Sequence, residues 1–290
     1  MKKYFFGSYF KLQSKQKTLS LIPSYSKVGK KYMAHLQIIT HNNSYMLDFP
    51  FSSYEKGKGF NVRINDNIFN TNGIKLNIDN ENLKISGDIK FNFINKLKKN
   101  IMGPFKYIPF LECVHSVHSI SHSINGKIYL NGEEFNFDDS LCYIEGDRGR
   151  SFPNVYIWTE ALFSDGSLML SIADIPFGLF HFTGIIGFVN YNNKTIILGT
   201  YNRAKPIKVK SDEIIVKKGK YKLIIKILNY NSYSLKAPNM GQMDRIIKES
   251  AECKVRYIFM HKDDIIFDKV LDNASLEYEY RKDREFDRSK

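Results

Sequence analysis

The chain has only three cysteines in 290 residues, Cys113, Cys142 and Cys253. They are widely spaced and odd in number, which excludes a disulfide framework and a paired zinc-ligand spacing and suits a reducing compartment. A nucleotide-binding glycine loop is also lacking, because Gly57-Lys58-Gly59 is followed by neither a third glycine nor a helix. No Gly-x-Ser-x-Gly turn occurs, which argues against the ordinary serine hydrolases. Long apolar runs are missing as well. The longest, residues 175–189, holds Pro176, His181 and three glycines, and falls short of the ~20 residues a membrane helix needs. The apolar start of the chain is cut by Lys11 with no small-residue cleavage site after it, so it reads as a first strand and not as a signal peptide.

What is present is a core-forming composition, with 43% hydrophobic and 14% aromatic residues, enough to bury one large β domain or two ordinary ones. Charge is unbalanced, with 43 Lys+Arg against 30 Asp+Glu and a net +13. The lysines are scattered, not gathered, and rise together with Asn, Ile, Tyr and Phe, as a compositional bias would produce. No nucleic-acid partner is expected; weak attraction to a membrane surface is the residual electrostatic reading.

Nearly every segment reads as a short strand closed by a turn. Asn72-Gly73 and Asn131-Gly132 supply the positive φ angles of type I′ hairpins, and Asn192-Asn193 marks another turn. Strands recurring every ~8–12 residues with almost no helix mean an antiparallel sandwich or barrel. About a dozen and a half strands exceed one barrel of ~8, so two units are expected. No flexible linker marks their border, which is placed at 150/151: residues 1–150 and residues 151–290. One short helix is expected over residues 240–249, where Met240, Met243, Ile246 and Ile247 share a helical face and Arg245 precedes Glu249 by four. The tail from Arg281 is a charge run expected to fray.

Two clusters carry candidate chemistry. His115, His118 and His122 would converge on a helix, but their Ser-rich, β-branched surroundings favour a strand. On a strand His115 points away from the other two, and His118 lies ~13 Å from His122 at ~3.3 Å per residue. A shared metal with bonds of ~2 Å is thereby rejected, although a single histidine can still face a pocket. The denser cluster is residues 141–158, where Glu145, Asp147, Arg148 and Arg150 alternate with Gly146 and Gly149 ahead of Tyr156 and the only tryptophan, Trp158. Two readings stay open. The charges are structural ion pairs at a junction, or Glu145 or Asp147 faces an aromatic-lined mouth and serves as an acid whose pKa is raised by an apolar wall.

At these residues the chain resembles tocopherol cyclase and its bacterial relatives, and more distantly the carotenoid-hydratase and Diels–Alderase-like lipocalin proteins. The resemblance runs through Tyr9-Phe10-Lys11, Met102-Gly103-Pro104-Phe105 and Pro109-Phe110-Leu111-Glu112-Cys113, then Gly126 and Asn131-Gly132. It continues over Tyr143-Ile144-Glu145-Gly146-Asp147-Arg148-Gly149-Arg150-Ser151-Phe152-Pro153 and Tyr156-Ile157-Trp158. The last blocks are Ser171-Ile172-Ala173-Asp174-Ile175-Pro176 and Ala237-Pro238-Asn239-Met240-Gly241-Gln242-Met243-Asp244-Arg245.

The resemblance implies an all-β protein of two lipocalin-like antiparallel β-barrels side by side, holding a hydrophobic small molecule such as an isoprenoid or lipid. Glu145 and Asp147 take the catalytic acid positions, and Glu112, His115, His118, Arg148, Arg150, Tyr156, Trp158 and Arg245 are candidate ligand contacts. Acid-promoted cyclisation, hydration or isomerisation is the implied chemistry, with a non-catalytic carrier as the alternative. No cofactor and no metal are expected, and the location is expected to be cytoplasmic or peripheral to a membrane. One position departs from the pattern: Asp147-Arg148-Gly149 stands where the family has Asp-Trp-Gly. Losing an aromatic and gaining a cation there disfavours a neighbouring carbocation and makes a pocket better supported than a tocopherol cyclase reaction.

Overall fold

The computed structural model describes residues 3–109, 111–177 and 180–280; the charged tail from Arg281 lies outside them. Strands account for 71% and helical turns for 4%, so the all-β expectation holds. The first sheet comprises β1 (Lys3–Gln13), β2 (Thr18–Val28), β3 (Lys31–Ile39), β4 (Ser44–Pro50), β5 (Tyr54–Lys56) and β6 (Val62–Ile64). It continues with β7 (Asn67–Asn70), β8 (Gly73–Asp79), β9 (Lys84–Phe91), β10 (Cys113–Leu130), β11 (Glu133–Asn136) and β12 (Ser140–Gly149). The second comprises β13 (Tyr156–Phe163), β14 (Gly166–Phe177), β15 (Phe180–Tyr191), β16 (Lys194–Gly199) and β17 (Ala204–Val209), then β18 (Glu213–Lys218), β19 (Tyr221–Asn229), β20 (Tyr233–Asn239), β21 (Gln242–His261) and β22 (Asp264–Tyr278).

In the first sheet the order is β4-β3-β2-β1-β12-β10-β9-β8-β7-β6-β5, with β11 beside β10; in the second it is β16-β15-β14-β13-β22-β21-β19-β18-β17, with β20 beside β21. Compactness divides the chain into two units. One gathers Met1–Asn100, Leu111–Phe152 and Ser234–Ile246; the other gathers Ile101–Phe110, Pro153–Tyr233 and Ile247–Lys290.

Neither hydrogen-bond path closes among the described residues, so the expected barrels are present as two large antiparallel sheets with open edges. In the first unit the edges β4 and β5 are consecutive in the chain, joined by the single 3₁₀ turn Phe51–Ser53. Side chains from both edges, Leu47 and Tyr54, pack on the same core as Phe10, Phe69 and Ile144. Eleven strands laid flat at ~4.8 Å would span ~48 Å, so one shared core requires the sheet to curl on itself. A second core, around Leu170, Ile225, Tyr257 and Leu276, fills the other unit.

The helix expected over residues 240–249 is not formed. Met240 (φ 49°) and Gly241 (φ 81°) are both left-handed and make the turn between β20 and β21, a geometry no right-handed helix can traverse. Beyond it the chain alternates as a strand, with Ile247 and Glu249 buried and Ile246 58% exposed. The helical spacing of Met240, Met243, Ile246 and Ile247 coincides with no buried face. Turn chemistry is otherwise mostly as expected. Asn131 and Gly132, and likewise Asn192 and Asn193, are left-handed. Asn72-Gly73 is different: Asn70 pairs with Gly73, leaving Thr71-Asn72 at the tip. Gly73 is needed for close approach, since a Cβ there would stand 1.9 Å from the Ile89 carbonyl oxygen.

Candidate functional site

The site of the first unit is built on β12 and its neighbours β1 and β10. Alternation along β12 sends Cys142 and Ile144 into the core, and the strand persists to Gly149. Tyr143, Glu145 and Asp147 therefore share the other face, while Gly146 and Arg148 follow the core side. In the ladders, Tyr9 lies opposite Glu145 and Lys11 opposite Tyr143, and His115 on β10 lies opposite Asp147. The Glu145 face is buried too: Lys11 and Tyr143 are 0% exposed, Glu145 5% and His115 7%.

His115 bridges the two acids. Its Nδ1 stands 3.0 Å from Asp147 Oδ1 in a hydrogen bond. Its Nε2 lies 3.2 Å from Glu145 Oε2, but off the line a hydrogen bond requires, and Nε2 has no hydrogen-bond partner among the described residues. Burial favours the neutral ring, yet the Glu145 and Asp147 carboxylates outweigh it and hold the imidazole well above its ordinary value. Tyr143 donates to Glu145 Oε2 at 2.6 Å, and the Cys113 thiol to Asp147 Oδ1 at 3.2 Å. Burial, reinforced by Asp147, Glu145 and Glu112, pushes that thiol up, so it is a donor here and not a nucleophile.

His115, Glu145 and Asp147 are also the one group among the described residues with ligand atoms close enough, within 4.8 Å, to suggest a metal. The geometry is unsuited to it. The two carboxylates engage opposite nitrogens of one ring, whereas a metal takes a single nitrogen and needs its other ligands on the same side. The cluster is an imidazolium held between two carboxylates.

His118 and His122 lie elsewhere, as strand alternation predicts. Register slips in the β10–β12 ladder between Val117 and Ser119, and again before His122, bring both rings onto the core. His118 packs on Phe60 (5.2 Å between centroids) and His122 edge-on to Phe91 (4.8 Å). Burial lowers each to about 4; for His118 the positive charge of His115 adds to it, Asp147 opposes it, and Lys96 and Lys56 add to it further. His122 Nδ1 is held by the Ser119 hydroxyl at 2.8 Å.

On the core side of β12 opens a cleft of about 310 Å³, lined by Tyr4, Phe6, Lys56, Gly59, Ser116, His118, Gly146, Asp147 and Arg148. Asp147, the partly exposed member of the triad, is in this lining. Gly146 leaves the room: a Cβ there would stand 3.1 Å from His118 Nε2 and 3.0 Å from the Gly7 carbonyl oxygen. Tyr156 and Trp158, expected to wall the mouth, are not in this lining. They belong to β13 of the second unit, where the Tyr156 hydroxyl donates to Glu277 and Trp158 stands opposite Ser171 and Glu277. Glu112 contributes its carbonyl, which accepts the N–H of Arg150 (2.7 Å) and of Ser151 (3.3 Å). Arg150 is exposed and its carbonyl accepts the Gly241 N–H at 2.7 Å; Arg245 is half-buried on β21. The cleft residues Tyr4, Phe6, Lys56 and Ser116 have no sequence signal, since what joins them is the curl that brings β5 toward β1 and β10.

Three solved structures share this architecture across nearly the full chain. An AttH candidate from Nitrosomonas europaea gives a TM-score of 0.55 at 12% identity, covering 97% of this chain and 93% of that one. Kievitone hydratase from Nectria haematococca gives 0.53 at 10%, covering 96% and 89%. CghA in complex with Sch210972 gives 0.60 at 5%, covering 95% and 88%. These neighbours are lipocalin-like double-barrel proteins, and at such identities the likeness extends to the fold alone. No family model matches the sequence, and no curated protein matches it. Among the described residues no helix is long and apolar enough to cross a membrane.

Proposed function

We propose that the first unit binds an unsaturated hydrophobic small molecule, an isoprenoid or lipid, and protonates it, opening routes to hydration, cyclisation or isomerisation. The observation that carries this reading is the buried His115 ring, with its two nitrogens against Glu145 and Asp147, beside a cleft that Asp147 lines. In the step, Asp147 Oδ1 takes the Nδ1 proton of His115 and passes that same proton to an alkene carbon, leaving His115 neutral and Asp147 a carboxylate again. The π pair forms the new C–H bond and the adjacent carbon becomes cationic. The triad is left with a further negative charge, which stabilises that cation. Water captures it in hydration, or an internal hydroxyl in cyclisation, and in either case the surplus proton of the attacking oxygen returns to the triad. The motif resemblance to tocopherol cyclase and the hydratase among the structural neighbours support the same class of chemistry.

The test is deuterium incorporation from D₂O into prenylquinols and geranylgeraniol, followed by mass spectrometry. The wild-type chain labels the alkene, and Asp147→Asn or Glu145→Gln slows labelling at least ~100-fold, the lower range for a general acid. Equal labelling by the wild type and both variants would sink the acid. The alternative, a non-catalytic carrier, draws support from the ion pairing of both carboxylates to His115. It is the reading that stands if ligand binds without label.

A further inference from the structure

The cleft carries more positive charge at its mouth than a neutral apolar ligand needs. Lys56 Nζ stands 4.4 Å over the Phe6 ring, and Arg148 lies opposite Phe6 in the β1–β12 ladder. Both cations belong to exposed residues, so they keep their hydration until something displaces it. The single acid in the lining, Asp147, already accepts hydrogen bonds from His115 and Cys113 at its Oδ1. His118, lowered to about 4, is neutral near pH 7 and adds polarity without charge. The lining rings Tyr4 and Phe6 are backed by Tyr25, whose ring centroid lies 6.0 Å from Tyr4 and 6.1 Å from Phe6.

We propose that the cleft selects an amphipathic anion, with a carboxylate or phosphate head between Arg148 and Lys56 and its apolar body against Phe6 and Tyr4. This deepens the functional reading and rests on its premise that the cleft is the ligand site. The guanidinium fork matches either oxyanion through paired N–H donors, and the ammonium adds a second point charge. A volume of about 310 Å³ sits at the lower end of the ~300–1,000 Å³ range of small-molecule sites. The cleft therefore holds the head and the first part of a chain. The proposal also accounts for Arg148 in the place of an aromatic: an anionic head cancels its field, which would otherwise oppose cationic character near Asp147.

The test uses the full chain and two fluorescent probes, cis-parinaric acid and its methyl ester. A charge-assisted hydrogen bond contributes ~1.5–3 kcal/mol, or about 10- to 100-fold. The acid is accordingly expected to bind at least ~10-fold tighter than the ester. Arg148→Gln removes most of that preference while leaving the ester within about twofold, and Arg148→Lys retains part of it. Lys56→Gln, judged folded by circular dichroism, serves as the second variant and is expected to act in the same direction. Displacement of the probe by dodecanoate identifies a carboxylate head and displacement by dodecyl phosphate a phosphate head; either supports the proposal. Equal affinity for acid and ester, equal displacement by dodecanol, or an unchanged preference in both variants overturns it. Charge-selective binding without deuterium labelling defeats the acid mechanism alone. Labelling without charge selectivity defeats this proposal alone.

Discussion

Two faces of the β10–β12 ladder treat histidine in opposite ways. On one, His115 sits buried between Glu145 and Asp147 and is held as a cation. On the other, His118 and His122 lie against Phe60 and Phe91 and are driven neutral. All three are partly or fully removed from water, so burial alone does not decide the charge state. The neighbours do: two carboxylates outweigh desolvation, and aromatic rings leave it unopposed. The charged face suits storage of a proton, and the aromatic rings of the other face suit the apolar body of a ligand.

The comparison breaks hardest if the counter-charge is removed. Glu145→Gln combined with Asp147→Asn leaves His115 without its anions, and stripping a buried charge of its partners costs ~3–5 kcal/mol. Urea unfolding at pH 7 is expected to show a loss in that range. The His115 contribution itself is present below its unfolded value of ~6.5 and fades as pH rises through its higher folded value. The double variant should therefore lose this alkaline dependence. An unchanged midpoint would mean that the carboxylates are not what holds the proton.

The opposite face gives the opposite sign. The folded value of about 4 for His122 lies below the unfolded ~6.5, so its stabilisation is present above pH 6.5 and lost as pH falls toward 4. At ~1.4 kcal/mol per unit this amounts to about 3 kcal/mol. The difference in unfolding free energy between wild type and His122→Gln, followed from pH 7 to 4, should shrink by that order. A flat difference would show that the ring titrates as if exposed.

A smaller effect probes the partition between the faces. Gly146→Val places a side chain against His118 Nε2 and the Gly7 carbonyl, an overpacking worth ~1–3 kcal/mol, and occludes the cleft without altering any charge. Thermal unfolding should report the destabilisation, and parinarate fluorescence the lost binding of both acid and ester. The smallest stability effect belongs to Arg148→Gln, whose exposed side chain should move unfolding by no more than ~0.5 kcal/mol. A loss of several kcal/mol would reassign Arg148 to the fold.

Period-2 patterning and turn residues made the all-β architecture, most hairpins and the opposed directions of His115 and His118 legible in the sequence, because alternation is a local property of a strand. The same local logic explains the helix that is absent at residues 240–249. Its apolar spacing suited a helix, but two left-handed residues at Met240 and Gly241 and the alternation of β21 overrode a weak propensity. The acids Glu145 and Asp147 stood out through their density of charge and His115 as a candidate ligand contact, whereas its pairing with both acids did not. Thirty residues separate His115 from Glu145, and only the β10–β12 register brings them together.

By itself the sequence determined which residues alternate and where most turns fall. The tertiary structure decided which face each strand presents to which neighbour, and with it the charge of each histidine. It also decided that Lys56 on β5 joins Arg148 on β12 at one cleft. The reason is physical. Strand period is set by bonds between adjacent residues, while register, curl and local dielectric are set by neighbours distant in the chain.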